Sequence, residues 1–419
     1  MRAPSPTPTK PRVAIVGAGF AGLEAARGLA GAAVEVTLID RHNYHLFQPL
    51  LYQVATAGLT PEDIAHPVRA ILRRQRNLAF RQAEVTGFDL AAKRVITSTG
   101  EVPYDYLLLA AGSDTNYFGL TSVAENGFGL KTIDEAVAVR NHVLGMFEQA
   151  SQEDDPVKRR TMLTFIVVGG GPTGVELAGA LSELVYTVLV KDYPRLDFSE
   201  ARIVLLQATD SLLPNLPQDL RDVTAETLRK KKVEVEFGQT VTGYDGQTIT
   251  LKNGESLSAR SLIWAAGVRA SRLVDGLGVS QGSLGRAVVL PTLQLAGHPE
   301  VFVAGDAAHI DENGRPLPMT AVVALQSGSK AAGNIQRLLC GQQAETFLFH
   351  DLGSLATIGR NAAVGQIGRV KIKGLLAWLL WTVVHIVRLV GFRNRLFVFW
   401  SWFWDYILYD RSIRLITRE

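Results

Sequence analysis

Two glycine-rich segments carry the clearest chemical signal in this sequence. Residues 17–22 (GAGFAG) and 169–174 (GGGPTG) each follow a short apolar run and precede a run rich in small or aliphatic residues. In a strand–turn–helix unit with this spacing, the first glycine permits the tight turn. The second lets the backbone approach a pyrophosphate, and the third lets the helix pack on the strand. Because the helix N-terminus also offers N–H groups to phosphates, we predict two dinucleotide sites.

The repetition extends beyond the glycines. Segment 16–26 matches segment 168–178 at valine, glycine and alanine positions, with Glu24 opposite Glu176. A whole strand–turn–helix unit therefore recurs about 150 residues later. Two dinucleotides in one chain indicate an oxidoreductase that passes electrons between a nicotinamide nucleotide and a flavin.

Acidic residues at strand ends favour a flavin in the first site. Asp40 ends the predicted strand 34–40, eighteen residues after Gly22, where a carboxylate can bind the adenosine ribose. Gly305 and Asp306 end another apolar run just before a helix, so this carboxylate can meet the ribitol hydroxyls of a flavin. Asp306 taken alone fits a helix N-cap better. The two glycine turns shift the interpretation to FAD.

The second site has an unusual residue at the matching position. Gln207 follows the predicted strand 201–206, where a carboxylate would select NADH by repelling the 2′-phosphate of NADPH. A neutral glutamine can hydrogen-bond the ribose but removes that repulsion. Since residues 208–211 (ATDS) contain no Arg or Lys that would attract a phosphate, our hypothesis is relaxed selectivity between NADH and NADPH.

The composition of the chain excludes some classes of electron acceptor. The length of 419 residues suggests two or three domains, and the net charge of +3 is too small to indicate nucleic-acid binding. Cys340 is the single cysteine, so a redox-active cysteine pair is excluded; we expect Cys340 to be a buried structural thiol. No cluster of residues has metal-ligand spacing, and none is predicted to bind a metal. The acceptor must then be a diffusible molecule or a protein partner.

The C-terminal segment points to a membrane surface. Five of the six tryptophans lie in the last 42 residues, and ten Lys and Arg follow from Arg360 onward. Residues 374–387 are uncharged, but this run is shorter than the roughly twenty apolar residues of a spanning helix. We expect Trp378 and Trp381 at the lipid headgroups and His385 on a polar helix face. A hydrophobic homodimer interface is the alternative, and the two can coexist.

The predicted fold class is α/β, with two Rossmann-type dinucleotide-binding domains and a C-terminal amphipathic helical segment for membrane attachment. We expect helices over residues 132–149 and 321–340 and a charged linker over 151–160. The predicted division is a disordered tail (1–10), the first part of an FAD domain (11–150), an NAD(P)H domain (151–285), the second part of the FAD domain (286–345) and a membrane-surface or dimerisation region (346–419).

The motifs together resemble those of a known family. They are HLFQPLLYQVA (45–55), GGGPTGVELAG (169–179), WAAG (264–267), AGDA (304–307) and the aromatic C-terminus. On these the chain resembles the type II NADH dehydrogenases, single-subunit NADH:quinone oxidoreductases attached to one membrane leaflet, from about Lys10 to Arg418. The resemblance implies bound FAD, NADH as substrate and a membrane quinone as acceptor. It also implies a peripheral, monotopic position on one membrane leaflet. Because the sequence predicts no intramembrane helices to carry charge, we expect no proton pumping. The single cysteine favours the cytoplasmic face, and the hydrophobic C-terminal segment favours a homodimer.

The resemblance also implies site residues. Glu176, near the nicotinamide, and Gln326, at the quinone pocket, are the predicted catalytic residues, although Glu176 also fits a carboxylate favoured by the helix dipole. The family's Ala-Gln-x-Ala-x-Gln motif is altered here, because Val322 replaces its first glutamine. The predicted cofactor-binding residues are Gly17, Gly19, Phe20, Ala21, Gly22, Asp40, Arg41, Gln48, Pro49, Leu50, Ala111, Gly112, Gly169, Gly171, Pro172, Thr173, Gly174, Gln207, Ala266, Gly267, Gly305, Asp306, Ala324 and Gln326.

Two other functions fit the same residues. One is a soluble NAD(P)H reductase of a small iron–sulfur protein, whose acidic surface the basic C-terminal segment could bind. The other is a redox-sensing protein that holds FAD and NAD(P)H without turnover.

Overall fold

The computed structural model describes residues 10–312, 314–408, 411 and 413–417, so most of the predicted tail 1–10 lies outside the described residues. The chain divides into two compact units. Unit 1 comprises Met1–Leu46, His66–Asp114 and Val268–Asp351, and unit 2 comprises Phe47–Ala65, Thr115–Gly267 and Leu352–Glu419. These units cut the chain differently from the predicted ligand-binding domains, which stay a prediction.

The helices within the described residues are α1 Phe20–Gly28, α2 Leu51–Ala55, α3 Pro61–Ile64, α4 Val68–Leu72, α5 Thr121–Asn126, α6 Ile133–Ala150, α7 Pro156–Met162, α8 Pro172–Glu183, α9 Val190–Asp192, α10 Gln218–Lys230, α11 Ala321–Leu339, α12 Gly374–Arg388 and α13 Phe392–Leu408. A π-helical turn, Leu184–Leu189, joins α8 to α9.

The strands are β1 Arg12–Val16, β2 Glu35–Asp40, β3 Tyr44–Leu46, β4 Ala65–Pro67, β5 Leu78–Gln82, β6 Val85–Asp89, β7 Arg94–Thr97, β8 Gly100–Pro103, β9 Tyr106–Leu109, β10 Ser113–Thr115, β11 Thr164–Val168, β12 Arg202–Gln207, β13 Val233–Phe237, β14 Val241–Tyr244, β15 Thr248–Leu251, β16 Ser256–Ser258, β17 Ser261–Trp264, β18 Val268–Ala270, β19 Ala287–Val288, β20 Gln294–Leu295, β21 His298–Val303, β22 Ala308–His309, β23 Asp311–Glu312, β24 Arg315–Pro316, β25 Ser354–Thr357, β26 Ala363–Ile367 and β27 Val370–Lys373.

Unit 1 is built on a sheet with the order β20-β21-β9-β1-β2-β5. Strands β1, β2, β5, β9 and β21 run parallel, and β20 is antiparallel to β21. Because β1 lies between β2 and β9, the chain reverses its winding direction at β1. The carboxyl end of such a strand is where doubly wound folds bind ligands, and residues 17–22 lie there.

Unit 2 repeats this plan in a parallel sheet with the order β13-β12-β11-β17. Every residue of β11 and β17 is buried, as expected for strands covered on both faces. The central strand β11 leads into residues 169–174 and then α8, just as β1 leads into α1. The repeated sequence segments are thus repeated structural units, and the predicted α/β class is confirmed.

Two local predictions were wrong. Part of the segment predicted as a charged linker is helix α7, whose start is fixed by the Asp155 carboxylate accepting the Val157 N–H (2.9 Å) with Pro156 in the first turn. The predicted buried thiol, Cys340, is exposed, because α11 ends at Leu339 and Cys340 is its C-cap.

The C-terminal segment forms α12 and α13, but two side chains point opposite to expectation. Trp381, predicted at the lipid headgroups, is only 2% exposed. His385, predicted on a polar face, stacks on Trp381 with ring centroids 4.0 Å apart and is partly buried. A helical wheel gives the period of this apolar helix but not the side that packs on the protein. The exposed side instead carries five aliphatic residues, which we call the apolar face: Leu375, Leu376, Leu379, Val383 and Val387.

One helical stretch within the described residues, Pro172–Asp192, is long and apolar enough to cross a membrane. It contains α8, and 72% of its most apolar window is buried inside the protein. A core helix has these same properties, so its composition alone does not indicate a span.

Candidate functional site

The first glycine turn has the geometry of a pyrophosphate cradle. Gly17 has φ of 101°, a left-handed conformation that favours glycine, and a Cβ on Gly22 would collide with the Gly17 carbonyl oxygen. A Cβ on Gly19 would meet nothing within 4 Å. Gly19 is also the N-cap of α1, and no side chain caps the helix there among the described residues. The turn therefore leaves space and N–H groups for an anion.

The strand-end carboxylate braces this turn. Asp40 Oδ2 accepts the Ala18 N–H at 2.6 Å, and Oδ1 accepts the His42 N–H at 2.8 Å. A carboxylate has about four lone-pair sites, so acceptor capacity remains for ribose hydroxyls. His45 Nδ1 lies 2.9 Å from the Ala18 carbonyl oxygen, and burial lowers its pKa to about 4. Its Nε2 is buried without a partner among the described residues.

Asp306 lies at the carboxyl end of β21, beside the start of α11. Ser113 Oγ donates to Asp306 Oδ2 at 2.5 Å, and Ser327 Oγ accepts the Gly305 N–H at 3.0 Å. Gly305 has φ of 67°, and a Cβ there would lie 3.3 Å from Ala21 and Ala324. Unit 1 therefore holds the turn, Asp40 and Asp306 on one sheet. This set of groups fits the pyrophosphate, ribose and ribitol of FAD.

The second glycine turn repeats the same construction. Gly169 has φ of 112°, a Cβ on Gly174 would strike the Gly169 carbonyl oxygen, and a Cβ on Gly171 would meet nothing within 4 Å. Gly171 is the N-cap of α8, again with no side-chain cap among the described residues. Pro172 occupies the first turn, where a missing N–H costs nothing. Unit 2 thus offers a second dinucleotide cradle.

Gln207 occupies the place of Asp40 in this second cradle. Its Oε1 accepts the Gly170 N–H at 2.8 Å, matching the bond from Ala18 to Asp40. Its Nε2 donates to Thr209 Oγ1 at 2.7 Å and to the Ser211 carbonyl oxygen at 3.2 Å. Both amide hydrogens are therefore used inside the protein. A neutral acceptor oxygen is what Gln207 can offer a ribose hydroxyl.

Glu176 is buried inside unit 2 on the second turn of α8, and we call the side chains packed around it the pocket of Glu176. The residue is 7% exposed, and burial raises the pKa of its carboxyl to about 8. The Thr357 N–H, 3.4 Å from Oε1, and the indole of Trp381 partly oppose this rise. The Trp381 N–H makes no full hydrogen bond with any described residue. At neutral pH this carboxyl is mostly protonated.

Aromatic side chains from the C-terminal helices close the pocket. Trp381 lies 6.5 Å from Tyr52 and 5.6 Å from Trp402 between ring centroids. Trp402 donates to Gln53 Oε1 at 2.7 Å, and Gln53 Nε2 donates to Tyr52 Oη at 3.0 Å. Burial and the charge of Glu176 raise the pKa of Tyr52 well above its ordinary value. This pocket therefore contains two neutral groups that can hold protons, Tyr52 and Glu176.

Gln326, the other predicted catalytic residue, bonds to backbone groups. Gln326 lies on α11 in unit 1, where its Nε2 donates to the His350 carbonyl oxygen (2.8 Å) and its Oε1 accepts the His350 N–H (2.9 Å). The amide thus holds the backbone after α11 in place. Val322 and Leu325, on the same turns, are partly exposed.

The predicted site residues divide between the two units. Unit 1 contains Gly17, Gly19, Phe20, Ala21, Gly22, Asp40, Arg41, Ala111, Gly112, Gly305, Asp306, Ala324 and Gln326. Unit 2 contains Gln48, Pro49, Leu50, Gly169, Gly171, Pro172, Thr173, Gly174, Glu176, Gln207, Ala266 and Gly267. Their ligand-binding roles stay predictions.

Sequence reasoning missed several residues of these sites. His45 and Tyr52 belong to the motif 45–55, but nothing in their spacing indicates that one braces the first turn and the other lies in the pocket of Glu176. Ser113 and Trp381 are distant in sequence from the groups they contact. The one signal in the sequence was the motif 45–55, in which polar residues interrupt an apolar run.

Comparison with known proteins identifies the family. Residues 11–328 match the pyridine nucleotide-disulphide oxidoreductase family, and residues 351–411 match the NDH2 C-terminal domain. The type II NADH:quinone oxidoreductase Ndh of Mycobacterium tuberculosis is 40% identical, over 98% of this chain and 91% of the relative. The type II NADH:quinone oxidoreductase of Staphylococcus aureus is 31% identical, over 85% and 89%.

Solved structures agree on the fold. NDH2 from Plasmodium falciparum in complex with NADH superposes with a TM-score of 0.89 at 21% identity, covering 98% of this chain and 100% of that one. The sulfide:quinone oxidoreductase of Aquifex aeolicus has a TM-score of 0.73 at 18% identity, covering 95% of each chain. The resemblance predicted from the motifs is confirmed. The chain therefore belongs to the type II NADH:quinone oxidoreductases, FAD-dependent enzymes whose substrate is NADH.

Proposed function

We propose that this chain holds FAD on the unit 1 sheet, binds NADH at the second glycine turn and reduces a membrane quinone without pumping protons. The observation that carries the proposal is the pair of matching cradles, each with an open second glycine and a braced strand end. Bound FAD supplies the chemistry that accepts a hydride and releases two electrons. The protein binds, orients and excludes water.

Glu176 is proposed as the residue that holds a proton for quinone reduction. Reduction of a quinone to a quinol takes up two protons, so the enzyme needs a group that is protonated at neutral pH and able to release its proton. A carboxyl whose pKa is about 8 meets this need. Tyr52, whose O–H stays protonated, is proposed to orient the pocket. Gln326 is proposed to act through position, because its amide fixes the backbone at His350.

The decisive experiment is steady-state oxidation of NADH by purified FAD-loaded protein with a short-chain quinone as acceptor. We expect rapid turnover and bleaching of the flavin absorbance under anaerobic conditions. Flavin reduction without turnover would support the redox-sensing alternative. Turnover only after addition of an iron–sulfur protein would support the soluble reductase.

Use of NADPH is proposed because Gln207 carries no charge. Gln207→Glu should lower the ratio of kcat/KM for NADPH to that for NADH by about tenfold, since a carboxylate repels the 2′-phosphate, and tenfold corresponds to about 1.4 kcal/mol. The new carboxylate can still accept the hydrogen bond from the Gly170 N–H. Steady-state kinetics with both nucleotides measure the ratio.

Gln247→Glu, just before β15, adds the same charge outside the glycine turn and should leave the NADPH-to-NADH ratio unchanged. A strong wild-type preference for NADH that survives Gln207→Glu unaltered would contradict the proposed role of Gln207.

Membrane attachment is proposed through the apolar face. Leu376 is 68% exposed, and Phe397 and Trp400 of α13 are also exposed. Large exposed apolar surfaces mark interaction sites, and Arg388 and Arg395 supply cations for anionic headgroups. We propose peripheral, monotopic attachment at the cytoplasmic face. The predicted homodimer is proposed to coexist with it.

Replacing Leu379 and Val383 together by glutamate should reduce co-sedimentation with anionic vesicles at least tenfold. Each exposed aliphatic side chain that enters lipid contributes roughly 1.5 kcal/mol or more. Both lie one turn apart and point away from Trp381, so turnover with a soluble quinone should persist. Val157→Glu, on α7 and 74% exposed, is the control outside the apolar face. Unchanged vesicle binding of the double variant would rule out this surface. Gel filtration of the same variants tests the homodimer.

A further inference from the structure

Phe118 is an exposed aromatic residue in an uncommon backbone conformation. Its side chain is 59% exposed, and its φ is 51°. Bulky residues rarely adopt left-handed conformations, because the side chain crowds the backbone. A chain gains nothing for its own stability by placing a large apolar ring in water at such a position.

Hydrogen bonds hold this conformation in place. The Phe118 N–H donates to Asn116 Oδ1 at 2.9 Å, and the Asn116 N–H donates to the Gly267 carbonyl oxygen at 3.0 Å. The Trp264 indole N–H donates to the Asn116 carbonyl oxygen at 2.8 Å. The Phe118 loop is therefore fixed to the end of β17. Strain that the surroundings maintain in this way is typical of binding sites.

Sheet order places this loop at one end of the second cradle. Strand β11, which leads into the glycine turn, lies between β12 and β17. Gln207 ends β12, so the adenosine ribose is expected on the β12 side of the glycine turn. A dinucleotide whose pyrophosphate sits at the turn must extend its other half over the end of β17. A Cβ on Gly267, just past that end, would lie 3.4 Å from the Phe118 ring.

We propose that Phe118 packs against the nicotinamide half of the bound nucleotide and gives the site its preference for the complete dinucleotide over ADP-ribose. This inference rests on the proposed binding of NADH at the second glycine turn. The Phe118 ring, 59% exposed and tilted 60° against Trp264 with centroids 6.4 Å apart, offers apolar surface to a planar heterocycle. Contacts between aromatic rings of this kind favour offset or tilted stacking.

The test compares two ligands on oxidised, FAD-loaded enzyme by isothermal titration calorimetry. NAD⁺ carries the nicotinamide ring, and ADP-ribose lacks it. Phe118→Ala should weaken NAD⁺ five- to tenfold and change ADP-ribose less than twofold. The KM for NADH should rise by a similar factor. Phe118→Tyr, which keeps the ring, should bind both ligands as the wild type does.

Two further variants separate binding from folding. Phe118→Gly removes the ring and also relieves the left-handed backbone, so it should lose NAD⁺ affinity without a lower Tm. Leu284→Ala, at an exposed left-handed residue of unit 1, should affect neither ligand. Equal weakening of NAD⁺ and ADP-ribose, or no weakening of either, would overturn the role of Phe118. Failure of the wild type to bind both ligands would instead overturn the proposed NADH site.

Discussion

We expect the wild-type protein to lose free energy of unfolding as pH rises through the pKa of Glu176, and we expect Glu176→Gln to show no such loss. The folded carboxyl keeps its proton up to a pKa of about 8, whereas in the unfolded chain the ordinary value is 4.5. Between these values the folded state binds the extra proton, so the stability that this group contributes is complete below pH 4.5 and is lost as pH rises to about 8. At about 1.4 kcal/mol per pH unit, the loss is at most about 5 kcal/mol.

The measurement is Tm of the FAD-loaded protein between pH 5 and 9, for the wild type and Glu176→Gln. The Tm of Glu176→Gln minus the Tm of the wild type should increase as pH rises, because the amide cannot ionise inside the protein. Glu24→Gln is the matched control, since Glu24 holds the corresponding position on α1 with its side chain 36% exposed. Parallel Tm curves for wild type and Glu176→Gln would show that the buried carboxyl does not titrate as described.

The same variant tests the proposed proton transfer. If the protonated carboxyl serves quinone reduction, wild-type kcat should fall above about pH 8, where Glu176 ionises. Glu176→Gln should lower kcat about a hundredfold, the lower end for loss of a general acid, and should abolish that fall. Flavin reduction by NADH in single turnover should be little changed. A variant with wild-type kcat at pH 7 would remove Glu176 from the reaction.

Local sequence patterns predicted the sheets and cradles because their causes are local. A glycine turn needs its glycines at fixed spacing whatever surrounds it, and a strand end needs an acceptor to brace the turn. Asp40 and Gln207 could therefore be matched by position, and the structure shows each accepting the equivalent backbone N–H of its own turn, from Ala18 and from Gly170. Helix α7 also had a local signal, Asp155 followed by Pro156, which the surrounding charges obscured.

The pocket of Glu176 could not be predicted, because its walls come from remote parts of unit 2. Tyr52, Thr357 and Trp381 are brought together by tertiary packing. Helix α12 is apolar on most of its circumference, so periodicity could not tell which side packs inward. The left-handed backbone of Phe118 likewise depends on bonds to Asn116 and Gly267. Side-chain direction is set by partners distant in sequence.

Valine substitutions at the two open glycines should separate the two nucleotides. Gly19→Val is expected to abolish retention of FAD, and Gly171→Val to keep FAD but weaken NADH at least a hundredfold. The backbone at both glycines is extended, with φ of −72° and −74°, which valine adopts readily. A Cβ at either position meets nothing within 4 Å. The ligand-free protein should therefore fold, and the isopropyl group should obstruct only an incoming pyrophosphate.

Flavin absorbance per protein after gel filtration measures the first effect, and titration with NAD⁺ together with the KM for NADH measures the second. Gly333→Val on α11 and Gly145→Val on α6 are controls, since a Cβ there also meets nothing within 4 Å, but neither lies at a turn. If Gly19→Val retained FAD and Gly171→Val lost it, the assignment of the nucleotides to the two cradles would be reversed. The two cradles share their backbone geometry. If the matched substitutions impair different nucleotides, the difference must therefore come from the nucleotide that each cradle binds.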